Sequence, residues 1–260
     1  MLDRPQVLLQ LQGVELEQAQ YLLTQGRVGL EILDFAKPLL LATDWEQKLT
    51  QMVVQRQQWG GPITLHGPFL DLSPASPDPG VRELTLHRYR QALHIAARLQ
   101  ASHVVFHTQY NPNVREETYL SRWLVASARF WSDLLAEIES SHLTVVLENM
   151  WDPRPDHIAS LLAAVDSPRL CGCLDVAHAH LFSEVPLSDW VDTLGEKLVY
   201  VHLSDNRGMW DEHLALGEGE IDFSGLLTVT ARRGIAPLYV LEVGSYSDAM
   251  QSLDFLGWDV

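Results

Sequence analysis

The chain has 260 residues, 47% of them hydrophobic and 20% charged, with no low-complexity stretch. That supports a full core, as one α/β barrel or two small domains, and excludes a disordered chain. Acidic residues outnumber basic ones by 34 to 18, a formal charge of −16, which argues against a broad nucleic-acid surface, where phosphates are met by Lys and Arg.

Short apolar runs rich in β-formers alternate with longer amphipathic ones. In chain order, strands are expected at Gln6–Leu11, Val28–Leu33, Pro62–His66, His103–His107, Thr144–Glu148, Cys171–Asp175, Leu198–Leu203 and Leu238–Glu242. Helical segments between them include Arg82–Leu99, Tyr119–Glu139, Pro155–Ala164 and Leu187–Thr193. In the first, Leu86, Leu93, Ile95, Ala96 and Leu99 make an apolar stripe, with Arg82, Arg88 and Arg90 outside it. Turn residues punctuate the chain at Ser73–Gly80, Asn111–Asn113 and Asn206–Gly208. Regular βα alternation implies parallel strands with crossover helices. Eight such units in this length predict an α/β fold of one domain, a (β/α)8 TIM barrel over residues 1–260. The competing doubly wound sheet lacks its glycine-rich fingerprint after the first strand. No apolar run is long enough for a membrane span, and the N-terminal segment has no basic region or cleavage site, so a cytoplasmic protein is expected. Cys171 and Cys173 share one strand face and are read as reduced packing residues.

The strand ends carry the chemistry. The third ends in His66, the fourth in His107, the fifth in Glu148, the sixth in Asp175, the seventh near His202 and the eighth in Glu242. Strand ends converge on one rim of a barrel. Parity places Val146 inward below Glu148, Cys173 below Asp175, Val105 below His107 and Val240 below Glu242. His178 follows Asp175 closely, and Asp211 and His213 form a D-x-H pair able to grip one cation. A single rim histidine or glutamate has an ordinary explanation as a hydrogen-bonding or solvated residue. Four inward carboxylates at one rim do not, because clustered buried charge needs a compensating cation. Mixed imidazole and carboxylate donors suit Zn, Mn, Fe or Co. Lys37, Lys48 and Lys197 are the only lysines and none ends a strand at the rim, which excludes Schiff-base chemistry.

Seven segments, LHGPFLDLSP (Leu65–Pro74), VVFHTQ (Val104–Gln109), VVLENM (Val145–Met150), CLDVAHAH (Cys173–His180), VHLSDNRG (Val201–Gly208), DEHLALGEGEIDF (Asp211–Phe223) and YVLEVGS (Tyr239–Ser245), resemble the xylose-isomerase-like TIM-barrel superfamily in order and spacing. That superfamily holds sugar isomerases and epimerases as well as endonuclease IV-type enzymes. The resemblance to the sugar branch implies a metal site of Glu148, Asp175, His202 and Glu242, with Glu148 and Glu242 moving a proton through an enediolate of a small sugar. It implies one to three divalent ions (Mn, Zn, Co or Mg), with His66, His107, His178, Asp211 and His213 as further ligands, and a homo-oligomer as one possible assembly. Phe69, Gln109, Asn149, Trp151, Asp205 and Trp210 are the expected substrate-side residues. The alternative is an endonuclease IV-like multi-zinc phosphodiesterase acting on abasic DNA, whose nine ligand positions are all matched. Three departures favour the sugar branch: Glu212 where the endonuclease branch has Arg, VLLQLQGVELEQ as the first segment, and Glu31 in VGLEIL.

Overall fold

The structure is a computed structural model that describes residues 6–138 and 142–258. Eight strands, β1 (Val7–Leu11), β2 (Gly29–Ile32), β3 (Ile63–His66), β4 (His103–His107), β5 (Thr144–Glu148), β6 (Leu170–Asp175), β7 (Leu198–Leu203) and β8 (Leu238–Leu241), follow the expected order within one residue at each end. Each pairs in parallel with the next, and β1 pairs with β8. This is the (β/α)8 barrel, closed so that no sheet edge is left open. Among the described residues, no helix is long and apolar enough to cross a membrane.

Strand alternation divides the apolar residues into two cores. Leu8, Val105, Val146, Cys171, Cys173, Tyr200 and Val240 fill the barrel interior. The residues between them, among them Leu9, Leu30, Leu65, Phe106, Leu147 and Leu174, face the helices in a much larger cluster. The parity expected from sequence therefore holds, and both cysteines are free, buried packing residues of the interior.

The helices show how local chemistry moves the boundaries. The first long one runs Pro79–Leu99, earlier than the apolar stripe alone indicates. Asp78 caps it by accepting from the Gly80 amide at 2.7 Å, and Pro79 takes the first helical position, where its missing N–H costs nothing. The loop expected to reach Gly80 thus ends at Asp78. Its buried face is Thr85, Tyr89, Ala92, Leu93, Ile95, Ala96 and Leu99, with Leu86 at the margin. Tyr89 stacks on Phe106 of β4 with ring centroids 4.1 Å apart, pinning helix to barrel. The next helix is Tyr119–Ala136; Glu139, expected within it, lies outside the described residues. The other two expected segments form Asp156–Val165 and Leu187–Leu194.

Candidate metal centre

Register brings the strand-end side chains together. On the β4–β5–β6 ladder, His107 lies beside Glu148 and Glu148 beside Cys173. On β6–β7, Asp175 lies beside His202. Glu242 is one residue beyond β8, but its amide still donates to Leu203 O at 3.0 Å, so the ladder carries it to the rim. The result is a group of Glu148, Asp175, His202 and Glu242 whose ligand atoms all lie within 4.8 Å of one another. His66, His107 and Glu148 form a second such group, and Glu148, Cys173 and His202 a third. Oε2 of Glu148 is the shared vertex, 3.4 Å from His66 Nε2 and 3.5 Å from both His107 Nε2 and His202 Nδ1. Beside them stand His178, Asp211 and His213, joined through Asp211 Oδ2, which is 3.3 Å from Nε2 of each histidine. All nine ligand positions proposed from sequence therefore meet at one rim.

Three of the rings are held through Nδ1 by backbone carbonyls. Nδ1 of His66 faces Gly67 O, that of His178 faces Asn149 O and that of His213 faces Glu242 O, all at 2.9 Å. Such outer contacts fix the tautomer and orientation of ligating imidazoles. Asp175 uses Oδ1 to cap the following short helix, accepting from His178 N at 2.7 Å, which leaves Oδ2 for the centre. Asn149 clips the same corner: its Nδ2 donates to Asp175 O at 2.9 Å and its Oδ1 accepts from Asp175 N at 2.8 Å.

Burial by itself pushes carboxyls up and imidazoles down. Against that, the facing His107 and His202 hold Glu148 well below the usual carboxylate range, and His202 draws Glu242 down to about 2. Asp175, where burial prevails, is shifted up. Burial lowers His107 to about 4, whereas in His66 burial is outweighed by Glu148, which lifts the ring to about 9. His178 and His202 are raised well above the ordinary imidazole value, against burial, by Asp175 and by Glu31 respectively. Clustered carboxylates are thus balanced by protons on imidazoles, which are the protons a cation displaces.

The donor set fits a divalent cation. Among the described residues, Glu148 Oε2, Asp175 Oδ2, His202 Nδ1 and Glu242 Oε2 are each buried without a hydrogen-bond partner, although buried polar atoms are normally paired. All four belong to one cluster and point at one another, His202 Nδ1 and Glu242 Oε2 approaching to 2.8 Å outside hydrogen-bond geometry. Orphaned oxygens and nitrogen of this kind, in a mixed carboxylate–imidazole set, are what a cation satisfies.

Of the expected substrate-side residues, Phe69 stacks flat on His107 at 4.6 Å and faces His66 edge-on at 5.4 Å, at the mouth of the centre. Gln109, with a positive φ of 56°, donates to Phe69 O at 2.8 Å and holds that ring's segment. Trp151 is partly exposed and Trp210 largely so. Asp205 is fully buried, and its two oxygens accept from the amides of Asn206, Gly217, Gly219 and Ile221. It therefore fastens the LGEGEID segment against the end of β7. A groove of about 1140 Å³ on the outside, between the Pro79–Leu99 and Tyr119–Ala136 helices, is lined by none of the nine candidate ligands.

Two buried acids were not singled out as site residues from sequence. Glu31 on β2 accepts from Gln10, Tyr200 and His202. An acid inside an otherwise apolar strand, VGLEIL, is the signal that marks it. Asp152 accepts from Thr108 and from the Met150 amide, and burial lifts it to about 7. It lies in a loop, where no periodicity marks it.

A parallel barrel with acids and imidazoles converging at its C-terminal rim defines the class, and comparison with known proteins agrees. Residues 27–256 match the family model described as xylose isomerase-like TIM barrel, and the chain belongs to that family. It is similar to the TTHB071 protein of Thermus thermophilus, solved after soaking with ZnCl2, at 31% identity with a TM-score of 0.79 over 96% of each chain. It resembles the structure of a D-tagatose 3-epimerase-like protein at 27% identity with a TM-score of 0.75, covering 88% of this chain and 86% of that one. Fructoselysine 3-epimerase of Escherichia coli O157:H7 is 28% identical over 165 residues, 60% of this chain and 58% of that protein's length.

Proposed function

We propose that the chain is a divalent-metal-dependent isomerase or epimerase of a small sugar or sugar-like polyol. The observation that carries this is the placement of Glu148 and Glu242 in one group with Asp175 and His202, all four offering unpartnered buried atoms. The epimerase names among its relatives support the same substrate class.

A cation held by Glu148, Asp175, His202 and Glu242 supplies stabilisation for negative charge developing on a carbonyl oxygen of the substrate. The chain's own residues do the rest. Glu148 and Glu242 are both held ionised, so either can take the proton from the carbon next to the carbonyl. The carboxyl so protonated returns that proton to the neighbouring carbon in an isomerisation; in an epimerisation the other carboxyl takes a proton from solvent and delivers it to the opposite face, while the first releases its own to solvent. Glu242 is the more open, its side chain 13% exposed against 1% for Glu148, and so faces the incoming substrate. Phe69 and Trp151 wall the mouth and meet the apolar face of a sugar ring, while Asn149 and Asp205 act through the backbone segments they hold. Trp210 lies farther out on the same side. His66 and His107 hold a second cation with Glu148 or meet substrate hydroxyls; His178, Asp211 and His213 hold a third or tie down the loop after β7.

The test is solvent deuterium uptake into a panel of ketoses by protein loaded in turn with Mn2+, Co2+ and Zn2+, followed by NMR. Exchange at carbon next to the carbonyl, lost in Glu242→Gln, is the expected result. No exchange across the panel with any metal overturns the reading.

The presence of all nine ligands at one rim favours a second reading, an endonuclease IV-like phosphodiesterase acting on abasic DNA. The net charge of −16 weighs against DNA binding. Robust incision of an abasic duplex by the zinc-loaded protein would establish it in place of the first.

A further inference from the structure

Below the rim lies a fully buried carboxylate that the proposed proton transfer does not use. Glu31 on β2 is level with Gln10 of β1 and Thr64 of β3, all facing the interior. Its Oε1 accepts from Gln10 Nε2 at 2.8 Å. Its Oε2 accepts from the Tyr200 hydroxyl at 2.6 Å and faces His202 Nε2 at 3.2 Å. Tyr200 reaches across from β7, and since its own proton goes to Glu31, Thr64 Oγ1 donates to the Tyr200 oxygen at 2.6 Å. Three donors thus converge on one carboxylate, so Glu31 is engaged away from the cation group.

A carboxylate in this state only accepts. The proton that His202 keeps when a cation displaces the other is therefore the one on Nε2, and Nδ1 is the nitrogen that then offers its lone pair. Nδ1 is the atom lying 2.8 Å from Glu242 Oε2, 3.5 Å from Glu148 Oε2 and 3.8 Å from Asp175 Oδ2. His66 and His213 are arranged the other way, with Nδ1 on backbone carbonyls and Nε2 toward the rim groups. A charged acceptor in a dry interior pulls harder on the ring proton than a carbonyl does, which makes the opposite nitrogen a stronger donor.

We propose that Glu31 is a positioning residue of the metal centre: it fixes the tautomer and tilt of His202 and makes that imidazole a stronger donor than the carbonyl-backed ones, with Tyr200 and Gln10 holding Glu31 in place. This rests on the reading of Glu148, Asp175, His202 and Glu242 as a cation site. It makes cation positions unequal, since one is served by a carboxylate-backed ring and that of His66 by a carbonyl-backed one.

The variant Glu31→Gln keeps the shape, and Gln10 turns its amide to meet the new one. Co2+ serves as the probe, read by its visible absorption and by chelator competition. Folded Glu31→Gln is expected to bind Co2+ about 10- to 100-fold more weakly, with shifted bands. Tyr200→Phe, which leaves the carboxylate on His202, is expected to lose less affinity and keep the wild-type bands. Wild-type affinity and bands in folded Glu31→Gln overturn the proposal while leaving the metal centre standing. A wild-type protein that takes up no Co2+ overturns both. Long-range 1H–15N spectra of the wild-type histidines with Zn2+ bound give a test free of mutant folding: a proton on His202 Nε2 is expected, and one on Nδ1 contradicts the proposal.

Discussion

Glu148 belongs to all three candidate cation groups, so its loss is expected to reach further than that of Glu242. Glu242→Gln is expected to lower kcat about 10²- to 10⁴-fold with the fold kept, the range of a lost acid–base group; Glu148→Gln is expected to lower cation affinity as well, read by equilibrium dialysis. The imidazoles set the pH response. His66, raised to about 9 in the cation-free protein, stabilises the fold fully below 6.5 and loses that contribution as pH rises through about 9. Cation binding must expel that proton, so calorimetry in buffers of different ionisation enthalpy is expected to show proton release at pH 7 and affinity rising toward pH 9. Asp152 has the same sign for a different reason. Lifted by burial to about 7, it favours the fold fully below about 3.8 and loses that as pH rises through 7. Asp152→Asn is expected to match wild-type Tm at pH 4 and exceed it at pH 8. The rim position of His66, His107, Glu148, Asp175, His202 and Glu242 was legible in sequence because strand ends and alternation place them, and His178, Asp211 and His213 because they follow such ends closely or pair as D-x-H; Glu31 appeared there only as a family mark, since what it touches depends on Tyr200 crossing the interior.

At the scale of elements, the segment after β7 carries Asp211 and His213 on an arm fastened at both sides. Asp205 and Leu214 exchange backbone hydrogen bonds, Arg207 pairs with Glu212 at 2.7 Å, and the Asp205 carboxylate collects the amides of the LGEGEID turn. A Cβ on Gly219 would lie 2.3 Å from both Asn206 O and Asp205 Oδ1, which requires glycine there. Asp205→Ala removes the acceptor of four backbone amides, two of them buried, and is expected to lower Tm by roughly 5–10 °C, and to loosen any cation held by Asp211 and His213. Sequence marked Asp205 as a rim polar group but not as the anchor of this turn, because its partners lie beyond the D-x-H pair and are backbone atoms. Element ends moved for equally local reasons, as at Asp78 and Pro79, whereas strand positions held because apolar runs bounded by turns leave little freedom.

Over the whole molecule, barrel closure is what turns acids and imidazoles spread along the chain, from His66 to Glu242, into a single cluster. The alternation that buries Val105, Val146, Cys173 and Val240 inside also lifts His107, Glu148, Asp175 and Glu242 to the rim above them. The eight-unit barrel was therefore legible from βα spacing alone, while the sharing of Glu148 among three groups depends on the stagger between strands and appears only in the folded register. The most direct test is anomalous diffraction from crystals loaded with Mn2+ or Co2+. A peak within coordination distance of Glu148, Asp175, His202 and Glu242 is the expected result; full loading with no peak bounded by those four residues would contradict it.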